Sequence, residues 1–409
     1  MQQQYPGLKA ILPLLLVVFI DALGMAIIFP ILNPIFMSPT GILPVDTSMH
    51  VRNMWYGFTL CMFPLAVFFG TPILGDLSDS IGRKKILLIC LAGIGTSYIL
   101  SGFSLIYDSL SLLIFSRIVA GLFGGSMATA QAAAMDVSHP DKKAATLSLM
   151  LLPAALGFVA GPLAGSFLAD AHLMTWFNLS TPLFFAGILA YLNFIALWFG
   201  FSETHQAIPN FKFKWHRGAE IFAEAFASKD IRFLSLIYFG FQLSWGLYFQ
   251  FIALFLFGRY GYTPNHIGLF MAMIGVGFAT SLLYLVNILT RHFKSKKIVL
   301  GTLLVSTICL FITIIPNQPG LVWIVGFVLG LAMAVAYPVI ISIYSDAAGT
   351  DKQGWVMGVS NAVFAVAWAV TAASGGFLQS IDVALGMTIS AIVLALSTIA
   401  MYVYSKRIG

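Results

Sequence analysis

Charge is scarce in this chain: Asp, Glu, Lys and Arg make up 9% of its 409 residues, against 59% hydrophobic ones. That ratio leaves too little polar surface to cover a soluble globule of this length. Cysteine is scarcer still. Cys61, Cys90 and Cys309 all fall in apolar runs and none stands in a C-x-x-C spacing, which argues against a disulfide framework or a zinc site. The seven histidines sit in polar segments or at the ends of apolar runs, so a buried histidine–carboxylate metal cluster has no candidates. Nor is a nucleophile–base constellation recognisable, which counts against an enzyme or a membrane-embedded sensor built on enzyme chemistry.

Long apolar runs are what the chain has instead. About 20 apolar residues cross a bilayer core, and twelve runs qualify, at approximately 8–35, 54–74, 86–106, 110–134, 144–169, 181–200, 233–258, 267–289, 298–315, 321–344, 354–378 and 383–404. The first is expected to be a span and not a cleavable signal, because it is too long, lacks a small-x-small cleavage site and is followed by eleven more. With an inner N-terminus, eighteen Lys and Arg residues fall on the inner side and only Arg52 and Arg259 on the outer. The positive-inside rule predicts that asymmetry and places both termini in the cytoplasm. The net charge of +6 is then explained by loops facing anionic lipids, and no nucleic acid is needed.

The longest polar interruption follows the sixth run. It contains Phe211-Lys212-Phe213-Lys214-Trp215-His216-Arg217 and then Ile221-Phe222-Ala223-Glu224-Ala225-Phe226, which reads as a linker with a short amphipathic helix on the membrane surface. Interfacial anchoring accounts for its aromatic-basic stretch without an RNA site. The domain expectation is a six-helix bundle over 1–201, a cytoplasmic linker over 202–231 and a second six-helix bundle over 232–409. A weak repeat supports it: Asp79-x-x-Gly82-Arg83-Lys84-Lys85-Ile86 aligns with Arg291-x-x-Lys294-Ser295-Lys296-Lys297-Ile298, each after the second span of its half.

Asp21 and Arg117 alone among the charged residues fall well inside apolar runs. Such groups are costly in hydrocarbon and are functional candidates by default. At ~1.5 Å per residue, Asp21 lies ~18 Å from Lys9 and Arg117 ~13.5 Å from Asp108, at depths close enough for a salt bridge or a water-mediated link. A permanent pair would merely fix helix packing. The functional alternative is an Asp21 that alternates between a charged, Arg117-facing form and a protonated one, since Arg117 stays charged at any relevant pH.

Between the second and third runs stands Gly75-Asp76-Leu77-Ser78-Asp79-Ser80-Ile81-Gly82-Arg83-Lys84-Lys85, a dense charged loop. It resembles the G-x-L-x-D-x-x-G-R-[RK] signature of major facilitator superfamily transporters. The segment from Asp21 to Leu32 is similar to the first span of tetracycline/proton and related twelve-span drug/proton antiporters. Leu113-x-x-x-Arg117-x-x-x-Gly121 resembles their fourth-span motif, whose Arg is associated with proton transfer. Gly157-x-x-x-Gly161-Pro162-x-x-Gly165 resembles their fifth-span motif, with Ser166 where a second Gly is usual. Glycines every four residues also let a neighbouring backbone approach closely, and Pro162 invites a bend. Gly121, Gly124, Gly125 and Ala128 read as a packing face of the fourth span. The tetracycline proteins carry acidic residues in their third and ninth spans; Gly95-Thr96-Ser97-Tyr98 and Leu303-Leu304-Val305-Ser306 have none, which makes tetracycline a poor guess.

The resemblance implies an all-α membrane protein, twelve transmembrane helices in two six-helix bundles with the major facilitator fold, and a site between the halves at mid-membrane. It also implies proton coupling through Asp21 and Arg117, and a conformational latch of Gly75, Asp79, Gly82, Arg83 and Asp136. In that latch Arg83 holds Asp79, Asp136 holds Arg83, and Asp79 meets the N-terminus of the eleventh span. For the substrate cavity, Tyr238, Gln242, Trp245 and Phe249 share one face of the seventh span, with Tyr337 in the tenth and Asn361 and Trp368 in the eleventh. Few polar handles among aromatic rings suit an amphiphilic or aromatic small molecule, although rings at this spacing equally face lipid or a neighbouring helix. The expected function is proton-driven efflux of a small organic molecule across a bacterial inner membrane by alternating access, with proton-coupled uptake of a nutrient or siderophore as the alternative. The partners are substrate, protons and membrane lipids. No cofactor is implied, the proton gradient being the energy source. Oligomeric state is left open, a monomer being plausible.

Overall fold

The computed structural model describes residues 8–137, 143–204, 216–228, 231–315, 318–348 and 353–407. Lys142, Lys229, Lys352 and the stretch 211–215 of the aromatic-basic segment lie outside the described residues. Among the described residues there are fifteen α-helices and no strand: α1 (Leu8–Met37), α2 (Met49–Ile81), α3 (Arg83–Ile106), α4 (Leu110–Phe123), α5 (Ser126–Asp136), α6 (Lys143–Phe167), α7 (Thr181–Gly200), α8 (Arg217–Ala227), α9 (Arg232–Tyr260), α10 (Pro264–Thr280), α11 (Val286–His292), α12 (Ser295–Ile314), α13 (Pro319–Ala348), α14 (Gln353–Ile381) and α15 (Leu385–Arg407). Twelve spans are long and apolar enough to cross a membrane, α4 with α5 making one and α10 with α11 another.

Local chemistry explains the helix ends. Ser109 and Thr263 cap α4 and α10 by accepting the Leu112 and His266 amides. Pro264 occupies the first turn of α10, where a missing N–H costs nothing. α9 stops at Gly261, whose left-handed backbone (φ 65°) lets its amide return to the carbonyls of the last turn.

Three elements differ from their expected form. The charged segment is not a loop. α2 runs through Asp76 and Asp79 to Ile81, Gly82 alone turns the chain at φ 108°, and α3 begins at Arg83. The fourth span keeps its expected packing face, Gly124 and Gly125 lying against Val67 and Leu74 of α2, but it is broken there: the Gly124 amide bonds back only three residues, to Gly121 at 3.1 Å, and the helix restarts at Ser126. Two successive glycines supply too little conformational preference to hold the ladder across that point. The eighth span widens into a π-helical turn at Ser281–Leu285, and Ser281 donates to the Leu331 carbonyl at 2.7 Å.

Internal contacts group the chain into two compact units, Met1–Ile31 with Ala66–Arg217, and Leu32–Leu65 with Gly218–Gly409. In the first unit α1 supplies Leu14, Val17, Val18 and Ala22 to a core completed by Leu87, Leu88 and Leu91 of α3, Ala130, Ala133 and Ala134 of α5, Met150 and Ala154 of α6 and Leu197 of α7. Glycines set the spacing between α3 and α7: a Cβ on Gly95 would meet Tyr191, and one on Gly102 would meet Phe184. In the second unit α9 packs on α14 and α15, and α13 packs on α10 and α12. α8, the expected amphipathic helix, rests on α9 through Phe222 and Phe226, whose ring centroids lie 6.2 and 6.1 Å from that of Phe239.

The connection from α1 to α2 in the second unit is tied by Arg52, which is buried without a carboxylate partner among the described residues. Its guanidinium donates to the carbonyls of Phe36, Ser38, Pro44, Val45 and Thr47 at 2.7–3.4 Å. One residue along, the Asn53 amide reaches the Gln379 carbonyl of α14 at 3.3 Å.

Candidate functional site

Asp21 stands on α1 opposite the break in the fourth span. Its Oδ2 accepts the Ser126 hydroxyl at 2.6 Å, and the Met127 amide also bonds the carboxylate. Oδ1 is shielded from solvent and has no hydrogen-bond partner among the described residues. Ser126 and Met127 open α5, so the carboxylate faces a helix N-terminus, where unsatisfied amides and the helix dipole favour an anion.

Arg117 turns elsewhere. Its Nη2 donates to Ser101 Oγ at 2.9 Å, its guanidinium carbon lies 5.7 Å from the centroid of the Tyr98 ring, and its Nε has no partner among the described residues. Ser101 shares a further hydrogen bond of 2.7 Å with Ser116. Among the described residues no salt bridge joins Asp21 to Arg117. Tyr98 occupies the interval: its ring lies under Arg117 and its hydroxyl reaches α1 at Gly24, where a Cβ would collide with it.

The glycine row of α6 presses on the same stretch of α1. A Cβ on Gly157 would lie 2.6 Å from the Phe19 carbonyl, one on Gly161 2.6 Å from the Leu23 carbonyl, and one on Gly165 would strike the Ile27 carbonyl. Only glycine allows that approach, so the row fixes the helix that carries Asp21. Pro162 sits inside α6, and the Ser166 hydroxyl, at the departure from the family pattern, donates to its carbonyl at 2.9 Å.

At the Gly82 turn, Arg83 collects three acceptors: Asp79 at 2.6 Å, Ser78 at 2.5 Å and Asp136 at 3.2 Å. Arg83 is 11% exposed and Asp79 54%. Arg83 is therefore the fixed centre and Asp79 the member open to other partners. Gly75 has open space where a Cβ would be, whereas one on Gly82 would meet Glu203. Glu203 is the unforeseen member. Its carboxylate accepts the Arg83 and Lys84 amides at 2.9 and 3.1 Å and so caps α3 from beyond the end of α7.

In the second unit the aromatic residues of α9 form a stack. Trp245 lies 5.3 Å from Phe249, and Phe249 lies 6.1 Å from Trp368 of α14. Gln242 donates to the Tyr238 hydroxyl at 2.7 Å, one turn away. Tyr337 and Asn361 are half-buried, and among the described residues no hydrogen bond or ring contact joins either to the stack. Gln250, not foreseen, donates to the Trp368 carbonyl and to Thr371 at 3.2 and 3.0 Å. Two buried polar atoms beside the stack, Trp368 Nε1 and Gln250 Oε1, have no partner among the described residues. They can serve a ligand offering one acceptor and one donor.

Ser126 had a legible signal, since Gly124-Gly125-Ser126 reads as a helix interruption followed by a capping residue. Glu203 and Gln250 had none, because their partners lie far away in sequence.

Comparison with known proteins places this geometry. The class B tetracycline resistance protein of Escherichia coli is 25% identical over 355 residues, 84% of this chain and 82% of its own. The quinolone resistance protein NorA of Staphylococcus aureus is 24% identical over 368 residues, covering 86% and 85%. Among solved structures, the human organic anion transporter MFSD10 (TETRAN) superposes with a TM-score of 0.74 at 20% identity, over 97% of this chain and 100% of that one. The D-xylose-proton symporter does so with a TM-score of 0.71 at 18% identity, over 97% and 96%. The family pattern described as Major Facilitator Superfamily matches residues 14–372 and again 234–408, and with twelve membrane-crossing helices in place the chain belongs to that superfamily of transporters.

Proposed function

We propose that this transporter is a proton-coupled antiporter that exports a small amphiphilic or aromatic organic molecule by alternating access of its two six-helix halves. The membrane assigned to it is a bacterial inner membrane, with both termini cytoplasmic. The observation that carries the reading is Asp21, a carboxylate within the first span with one oxygen held by Ser126 and the other without a partner among the described residues. A group in that setting can take up a proton without dismantling its surroundings, because Oδ1 is free to carry it. The resistance-protein relatives, 24–25% identical, support export over uptake. The stack of Trp245, Phe249 and Trp368 supports an aromatic cargo.

The test is flux in proteoliposomes under an imposed pH gradient, using aromatic dyes first selected by thermal stabilisation of the purified protein. Wild type should drive dye against the proton gradient, and Asp21→Asn should abolish gradient-driven accumulation while binding and abundance persist. Undiminished driven transport by Asp21→Asn would sink the proton assignment. Dye moving with the proton gradient would convert the reading to uptake.

A further inference from the structure

The proton-binding carboxylate is held by a helix end inside the membrane. Gly124 and Gly125 interrupt the fourth span, and the restart presents the Ser126 hydroxyl and the Met127 amide to Asp21. An α-helix leaves its first amides without internal partners, and in hydrocarbon each such group is expensive to leave unmet. Here Asp21 supplies the acceptor. Broken helices whose ends face a charged group are a device transporters use for substrate and ions, but here the charge belongs to the chain itself.

We propose that Ser126 is a positioning residue for proton coupling, its hydroxyl and the start of α5 capping the Asp21 carboxylate so that they set the pH at which the transporter loads its proton. This rests on Asp21 being the proton carrier. The other titratable neighbours of Asp21 are Tyr98 and Cys90 on α3, and beyond Tyr98 lies Arg117 of α4. α6 presents Gly157 and Gly161 and no ionisable side chain on this stretch, and α2 carries its charged groups at its two ends, with Tyr56 and Cys61 between them showing no interaction with Asp21. Arg117 is engaged with Ser101, so the Ser126 hydroxyl is the side-chain donor that touches the carboxylate. The sign follows: a donor to the charged form favours it, so deleting the hydroxyl favours the protonated form and moves proton loading to higher pH.

The experiment is the pH profile of dye flux in proteoliposomes for wild type, Ser126→Ala, Ser126→Thr and Asp21→Asn, with abundance and melting temperature measured alongside. The inference expects the Ser126→Ala midpoint to move up by about one pH unit, with Ser126→Thr returning it toward wild type. A Ser126→Ala profile that stays in place while Asp21→Asn abolishes driven transport overturns this inference alone. Driven transport by Asp21→Asn overturns the proton reading and this inference with it. A fall in rate at every pH with an unmoved midpoint, or a shift that Ser126→Thr does not reverse, makes Ser126 a packing residue and also overturns it.

Discussion

Asp21 and Arg117, expected from sequence at similar depths, are not joined by a salt bridge among the described residues. Arg117 spends its guanidinium on Ser101 and the face of Tyr98, a planar arrangement an ammonium cannot copy. Arg117→Lys should therefore lower gradient-driven flux less than Arg117→Ala, yet fall short of wild type, as measured in reconstituted vesicles. Wild-type flux in both variants would reduce Arg117 to packing. The two charged residues were legible in the sequence because ionisable groups stand out in apolar runs. Of their partners, Ser126 had a local signal in the two glycines before it, but Tyr98 and Ser101 had none, since serine and tyrosine are ordinary in spans and only the fold brings α3 to Arg117 of α4.

The elements themselves were largely readable from hydropathy, and the misses share a cause. Hydropathy reports how apolar a segment is, not whether its backbone ladder is continuous, so it passes over the break at Gly124–Gly125 and the π-turn at Ser281–Leu285. It also ends α2 where charge begins, although a helix can run on into the polar region as α2 does to Ile81. The glycines divide by element in a way that can be measured. At Gly161 a Cβ would lie 2.6 Å from the Leu23 carbonyl and 2.7 Å from Ala26 Cβ, so Gly161→Ala must push α6 from α1 at a cost of about 1–3 kcal/mol. At Gly75 a Cβ meets nothing. Thermal unfolding in detergent should show a lowered melting temperature for Gly161→Ala and an unchanged one for Gly75→Ala. Equal melting temperatures would contradict the close α1–α6 approach. Lost transport by Gly75→Ala at unchanged stability would mark a conformation in which that face is covered.

For the molecule as a whole, the cluster at Gly82 is the candidate control point of the transport cycle. Arg83 is held on three sides, while Asp79 is half exposed, and an exposed ion pair contributes only about 0–1 kcal/mol. Such a bond is suited to breaking and re-forming. If it latches one state, Asp79→Asn should slow turnover and raise the labelling of a cysteine introduced on the predicted cytoplasmic side of the cavity, with membrane orientation unchanged. Labelling at the wild-type level, or an inverted topology, would remove the latch. Cys61, Cys90 and Cys309 are all buried, so the native background should be low. The signature pointed to Asp79 and Arg83, and the wider family resemblance to Asp136, which meet in the fold; the Glu203 cap was hidden, because it comes from a segment more than a hundred residues downstream.

The Arg52 arrangement has a practical consequence for mapping topology. Five carbonyl acceptors drawn from a single connection make that connection and its guanidinium one mechanical piece. An epitope tag inserted between Ser38 and Thr47 would remove acceptors from a buried cation and displace Asn53, whose amide anchors to α14. A reporter there would measure the damage it causes. The turn around His172, Leu173 and Trp176, whose side chains are exposed, is the better place to ask which side of the membrane the chain has reached.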